Sequence, residues 1–181
     1  MNRMKLGEIL SVKHGWAFKG EYFAEDGEQS ILTPGNFFEK GGFKPNNGKE
    51  RYYTGTYPKE YLCHKGDLIV AMTQQAEGLL GSTALVPENN KYLHNQRIGL
   101  ITCDEKRLNK LFAYYLFMTK RSMTWIQFRS VPSTGINVGS DRLSGIRVII
   151  LEITAIPGIC SMRCLCQSMD TYLRLIRRTA A

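Results

Sequence analysis

The run Leu68-Ile69-Val70-Ala71-Met72, entered through Lys65-Gly66-Asp67, constrains this chain more than any other segment. Such an unbroken apolar run is too short for a helix, and its lack of alternation suits a strand covered on both faces. Glycine supplies the turn before it, because it reaches positive φ without steric cost. The next segment, Thr73 to Gly81, is polar and glycine-bearing. A buried strand that delivers an uncharged polar loop, with no nucleophile or carboxylate cluster, points to recognition by hydrogen bonding before it points to catalysis.

The remaining elements are shorter and read around this strand. Leu6 to Val12 is expected to be a strand that runs into a tight loop, His14-Gly15-Trp16-Ala17-Phe18-Lys19-Gly20, with Trp16 and Phe18 packing rather than stacking on a ligand. Ser30 to Thr33 is a second short strand, stopped by Pro34-Gly35-Asn36. Residues 37–57 form a long irregular stretch rich in Gly, Asn, Lys and Tyr, and a loop of that length inside a compact domain is usually functional or disordered. Gly81 to Val86 and Arg97 to Thr102 flank a Pro-Glu-Asn-Asn-Lys turn and are expected to pair as a wide hairpin. One amphipathic helix is predicted from near Asp104, with Leu108, Leu111, Phe112, Tyr115, Leu116 and Met123 as its core stripe and Trp125 and Phe128 as core at its end. A last strand is expected near Arg147 to Leu151. The fold class is therefore α/β in the α+β sense: a curved, mostly antiparallel sheet, one long amphipathic helix, and a C-terminal helical segment.

At 181 residues, one domain with an appendage is the expected organisation. Lys and Arg number 24 against 16 Asp and Glu, a net charge of +8 that attracts polyanions such as nucleic acid. No apolar run approaches the ~18–20 residues of a membrane span, and no signal-peptide core comes after Met1-Asn2-Arg3, so a cytoplasmic location is expected. The odd count of five cysteines argues against a disulfide framework, and Cys160-x3-Cys164-x-Cys166 is not a common zinc spacing, so no metal is expected.

Catalytic motifs are missing. There is no phosphate-binding Gly-x4-Gly-Lys loop, no Gly-x-Gly-x-x-Gly and no His-Glu-x-x-His, and His14, His64 and His94 fall in separate segments. The loops carry a different inventory. Lys19, Lys40, Lys44, Lys49 and Arg51 suit phosphates, Tyr52 and Tyr53 can stack or hydrogen-bond, and Asn36, Asn46 and Asn47 are amides. Thr73, Gln74 and Gln75 come directly after the buried strand, and glutamine can pair bidentately with an adenine edge as arginine can with guanine. Asn95, Gln96 and Arg97 stand before an apolar strand, where they either brace neighbouring loops or touch DNA. Ser133 and Thr134 complete the candidates. Any one of these residues is more readily read as part of a solvated turn than as a contact; only as a set do they favour DNA.

In these residues the chain resembles the target recognition domain of the specificity subunit of type I restriction-modification systems. Leu6-Gly7-Glu8-Ile9 with Gly15-Trp16-Ala17-Phe18-Lys19 is similar to the family's opening, and Thr33-Pro34-Gly35-Asn36 to its Gly-Asn element. Lys65 to Thr73 resembles its central strand. Asn95-Gln96-Arg97, Phe112-Ala113-Tyr114-Tyr115-Leu116 and Ser133-Thr134-Gly135-Ile136-Asn137 through Leu143, Ile146 and Val148 continue in the expected order. Each element is weak alone, and the ordered set, over residues 6–150, is specific. The resemblance implies a non-catalytic subunit whose loops enter the DNA major groove. It also implies partners: methyltransferase subunits that bind S-adenosylmethionine, a restriction subunit in the full complex, and a homodimer as one arrangement of a single recognition domain. The chain itself would hold no cofactor.

Residues 151–181 depart from the family pattern. Leu151-Glu152-Ile153-Thr154-Ala155-Ile156-Pro157 stands where a proline and a Glu-Gln pair would open a spacer helix, and lysine is absent beyond Lys120. The expected organisation is thus a recognition domain over 1–150 and an atypical tail over 151–181, as in a half-length or truncated subunit with a reading frame shifted after about Ile150. Alternative reading frames that restored no spacer-helix pattern would contradict the shift. Met162, Leu165, Met169, Tyr172 and Ile176 nevertheless keep heptad spacing, which supports an alternative function: a basic structural or regulatory protein acting through protein partners.

Overall fold

The computed structural model describes residues 2–73, 75, 78–119, 131–132, 136–137, 143 and 147–150. The expectations for Gln74, Met123, Trp125, Phe128, Ser133, Thr134, the C-terminal cysteines and the heptads of residues 162–176 lie outside the described residues.

The strands, in chain order, are β1 (Asn2–Lys5), β2 (Leu10–His14), β3 (Phe23–Ala24), β4 (Ser30–Ile31), β5 (Tyr52–Tyr53), β6 (Leu68–Ala71), β7 (Thr83–Leu85), β8 (Tyr92–Leu93), β9 (Ile98–Cys103), β10 (Val131–Pro132), β11 (Ile136–Asn137) and β12 (Arg147–Ile150). One α-helix has described bounds, α1 (Lys110–Phe117). β2, β9, β6 and β7 lie side by side in that order as one antiparallel sheet. A second sheet has the order β3-β5-β4-β8, with only β4 and β8 parallel. β1 pairs with β12, Asn2 opposite Ile150 and Lys5 opposite Arg147, and β10 pairs with β11.

β6 explains the layering. All four of its residues are buried, and successive side chains leave opposite faces of a strand. Leu68, Val70 and then Met72 enter a core with Leu6, Ile9, Ile101, Leu108, Ala113 and Phe117, which lies under α1. Ile69 and Ala71 enter another, with Leu32, Phe37, Cys63, Val86, Tyr92 and Ile98, which faces the second sheet. The strand is therefore covered by a helix on one side and by a sheet on the other. Its entry turn has Gly66 at φ +84°, as the Lys-Gly-Asp sequence requires.

Five sequence expectations are corrected. Leu6–Glu8 is a 3-10 turn rather than strand, because the Glu8 carboxylate reaches back to accept the Lys5 N–H at 3.1 Å, and extended structure starts at Leu10. Residues 81–86 and 97–102 do not pair: β6 lies between them, bonding β7 on one edge and β9 on the other, so the hairpin is β6–β7, with Val70 opposite Thr83. α1 begins after Asn109, whose side-chain oxygen accepts from Leu111 N at 2.9 Å and Phe112 N at 3.3 Å, and not near Asp104, which caps a separate turn. Only part of its stripe is core. Leu108, Ala113, Leu116 and Phe117 are buried, whereas Leu111 is 53% and Tyr115 59% exposed. The irregular stretch of residues 37–57 also contains β5, which joins β3 to β4.

Candidate nucleic-acid interface

A short 3-10 turn, Pro34–Asn36, organises the site. Proline stands at its first position, where a missing N–H costs nothing, and Thr33 and Asn36 close a reciprocal cap around it. The Asn36 side-chain oxygen accepts from the Thr33 N–H at 2.8 Å and the Thr33 hydroxyl at 3.2 Å. Its amide nitrogen donates to the Lys44 carbonyl at 3.3 Å, while the Lys44 N–H donates to the Asn36 carbonyl at 2.8 Å. The Asn46 amide reaches the Asn36 side-chain oxygen at 3.5 Å. Asn47 and Gly48, both at positive φ, then turn the chain back toward Arg51.

These contacts build one wall of an open cleft of about 650 Å³ lined by Thr33, Gly35, Lys44, Pro45, Asn46, Asn47, Lys49, Arg51, Gln75 and Arg97. The lining contains four cations and three amides but no carboxylate. Among the described residues no ion pair engages Lys44, Lys49, Arg51 or Arg97. Arg51 rests on the Phe23 ring, 5.1 Å from its centroid, which fixes the stem and leaves its guanidinium edge for another partner. Cations gathered within a Debye length of about 10 Å repel one another, and a polyanion relieves that repulsion.

The backbone that leads into Arg97 is held by a close approach. Trp16 bridges Asn95 in parallel, with Trp16 N–H to His94 carbonyl at 2.8 Å and Gln96 N–H to Trp16 carbonyl at 3.1 Å. Gly15 makes this contact sterically possible, since a Cβ there would sit 2.2 Å from the Asn95 carbonyl oxygen. Beneath lies His94, 0% exposed, whose Nε2 is 2.8 Å from the Ile98 carbonyl. A carbonyl only accepts, so Nε2 carries the proton, and among the described residues Nδ1 has no hydrogen-bond partner. Burial chiefly, with Lys13 and His14 adding to it, pushes the imidazole down to about 4 despite the opposing bond to Ile98.

The sequence candidates separate accordingly. Lys44, Arg51, Gln75 and Arg97 come together in the cleft, joined by Lys49, Asn46 and Asn47 from the same loop inventory. The Asn95-Gln96-Arg97 triplet divides: Asn95 braces, its side-chain oxygen accepting the Arg97 N–H at 3.1 Å, while Gln96 and Arg97 are exposed. Asn36 is 3% exposed, its side-chain oxygen taken by Thr33 and its amide nitrogen bonded to the Lys44 carbonyl, so it shapes the loop from within. Tyr53 is likewise buried, at the centre of a ring cluster with Phe18, Tyr22, Phe23 and Tyr57. Tyr52 is half-buried in β5, and Thr73 half-buried past the end of β6. Lys19 is exposed beside Glu21 at 3.9 Å and does not line the cleft. Trp16 is 41% exposed, more open than a packing residue, with its ring 5.4 Å from Tyr61. Thr33, Gly35 and Pro45 are lining residues that sequence reasoning missed, and the Thr-Pro-x-Asn spacing of a capped turn was the signal for them.

Among the described residues no three His, Cys, Asp or Glu side chains come together as a metal ion would need. The Cys63 thiol is pushed up to about 12, by burial first and Asp67 second, which leaves it inert as a nucleophile.

Comparison with known proteins gives one consistent picture. The family described as type I restriction modification DNA specificity domain matches residues 1–150. No curated protein matches the chain. Among solved structures, one concerned with complex assembly and conformational transition of the type I R-M system superposes with a TM-score of 0.56 at 11% identity, covering 98% of this chain and 38% of the other. The type I restriction-modification S subunit from M. genitalium gives 0.54 at 15%, with 81% of this chain and 33% of that one covered. The HsdS subunit from Thermoanaerobacter tengcongensis gives 0.54 at 11%, with 98% and 37%. At these identities the likeness is one of fold, and the chain spans between 33% and 38% of those chains.

Proposed function

The chain belongs to the type I restriction-modification DNA specificity domain family, and from that premise we propose that it is a non-catalytic, sequence-reading domain for double-stranded DNA. The observation that supports this reading is the cleft in which Lys44, Lys49, Arg51 and Arg97 converge with Asn46, Asn47 and Gln75 and no carboxylate. Cations on phosphates supply most of the affinity and fix the register. The amides and one or more of the arginines select bases, each well-made pair contributing ~1–3 kcal/mol of discrimination.

In this reading the chain acts as the specificity subunit of a type I complex, with residues 1–150 as its recognition domain and 151–181 as an atypical tail. It directs methyltransferase subunits, and in the full complex a restriction subunit, to the target. S-adenosylmethionine belongs to the methyltransferase, and this chain holds no cofactor. Among the described residues no helix is long and apolar enough to cross a membrane. The place of work is the cytoplasm, where the DNA is.

Selection from a pool of random duplexes tests the proposal, using the full chain alone and with purified methyltransferase subunits. Enrichment of a defined motif is the expected result. Recovery of an unenriched pool in both arms, at low and at moderate salt, would overturn the claim of sequence reading.

A further inference from the structure

We propose that Asn36 is a positioning residue for DNA binding, acting through Lys44: it holds the loop of residues 44–46 so that the Lys44 ammonium has a fixed place in the cleft. The inference rests on the reading of the cleft as a DNA surface. Asn36 is 3% exposed, too buried to meet DNA itself, yet three of its groups are spent on this one loop. Its carbonyl takes the Lys44 N–H at 2.8 Å, its amide nitrogen gives to the Lys44 carbonyl at 3.3 Å, and its amide oxygen receives the Asn46 amide at 3.5 Å. Lys44 is thus clamped on both sides of its own backbone by one residue.

The clamp is itself held. The Asn36 oxygen is fixed from the other direction by the Thr33 N–H and hydroxyl, and Pro34 presets the turn between them. Beyond the clamp, Gly48 at φ +84° and Asn47 at φ 46° turn the chain, with the Gly48 N–H on the Glu50 carboxylate at 2.7 Å. A lysine on a free loop would lose conformational entropy on meeting a phosphate; one whose backbone is already fixed loses less, and that difference appears as affinity. No other asparagine of the loop has this role. Asn46 reaches Asn36 by a single long bond, and Asn47 is exposed in the cleft wall.

A double-mutant cycle with a mixed-sequence DNA duplex, read together with amide hydrogen exchange in the free protein, tests the assignment. Asn36→Ser is expected to weaken binding roughly fivefold, ~1 kcal/mol, and to accelerate exchange at the Lys44 N–H while leaving Val70 in β6 protected. In a Lys44→Gln background the same substitution is expected to change affinity by less than about twofold, since coupled residues are not additive. Additive effects in the cycle would overturn the proposal, as would unchanged exchange at Lys44. Loosened exchange with no DNA binding by the unsubstituted chain would instead refute the cleft reading and the proposal with it. Should Asn36→Ser fail to fold, as circular dichroism would reveal, Pro34→Ala loosens the turn that holds Asn36 without altering a cleft-lining residue and is judged by the same two criteria.

Discussion

His94 makes the folded chain sensitive to mild acid. The imidazole is fully buried, its Nε2–H is committed to the Ile98 carbonyl, and among the described residues its Nδ1 has no hydrogen-bond partner. Protonation at Nδ1 would place an unpaired cation in the core near Lys13 and His14, which is why burial holds the group at about 4 against an ordinary 6.5. Above pH ~6.5 both native and unfolded chains carry neutral imidazole, and this group contributes no pH dependence. As pH falls from ~6.5 to ~4 the unfolded chain takes up a proton that the native state refuses, so stability declines by up to ~1.4 kcal/mol per pH unit. Below the folded value the native state protonates too and the decline stops. The full span of that window corresponds to ~3 kcal/mol, a sizeable part of the ~5–15 kcal/mol by which a domain is stable. Urea unfolding across this window, for the unsubstituted chain and for His94→Gln, isolates the effect. Glutamine retains a donor for Ile98 and does not titrate, while every carboxylate contribution is common to both proteins. The stability difference between them is expected to shift by ~3 kcal/mol in favour of the variant between neutral pH and pH ~4. A difference that stays constant would refute the buried-neutral assignment.

The packing sets two further outcomes. Gly15→Ala is expected to destabilise by ~2 kcal/mol or more, because its Cβ would meet the Asn95 and His94 carbonyl oxygens at 2.2 and 2.3 Å, whereas Gly20→Ala, with nothing within 4 Å, should stay within ~0.5 kcal/mol in the same thermal denaturation assay. Cys63, raised to about 12, should resist iodoacetamide at mildly alkaline pH in the folded chain and react once denatured; peptide mapping that found it alkylated under native conditions would contradict its burial.

What could be read in advance divides along physical lines. The Leu-Ile-Val-Ala run announced its burial on both faces because period-2 geometry sends alternate side chains to opposite sides, and the two cores claim them in that alternation. The order of strands was not legible. Alternation fixes which face a residue takes but says nothing of which neighbour pairs with it, so the expected pairing of β7 with β9 gives way to the β6–β7 hairpin. The helical stripe failed in part for a related reason: Leu111 and Tyr115 have core spacing, but α1 meets the sheet along Ala113, Leu116 and Phe117. At the cleft, residue types were legible and roles were not. Lys44 and Arg51 meet Gln75 and Arg97, far off in sequence, only through the fold, while Asn36 and Tyr53, of equally suitable chemistry, are turned inward.

Salt dependence of DNA binding tests the central claim most directly. The affinity of the unsubstituted chain, of Lys44→Gln, Lys49→Gln, Arg51→Gln and Arg97→Gln, and of the exposed control Lys59→Gln would be measured against salt concentration. Each cleft cation that neutralises a phosphate should lower the slope of log K against log salt by ~0.9 in magnitude when removed, and one that reads a base should leave the slope and flatten discrimination between sequences. Lys59→Gln should change neither. If all four cleft variants bind with the slope, affinity and selectivity of the unsubstituted chain, the cleft is not the surface that meets DNA.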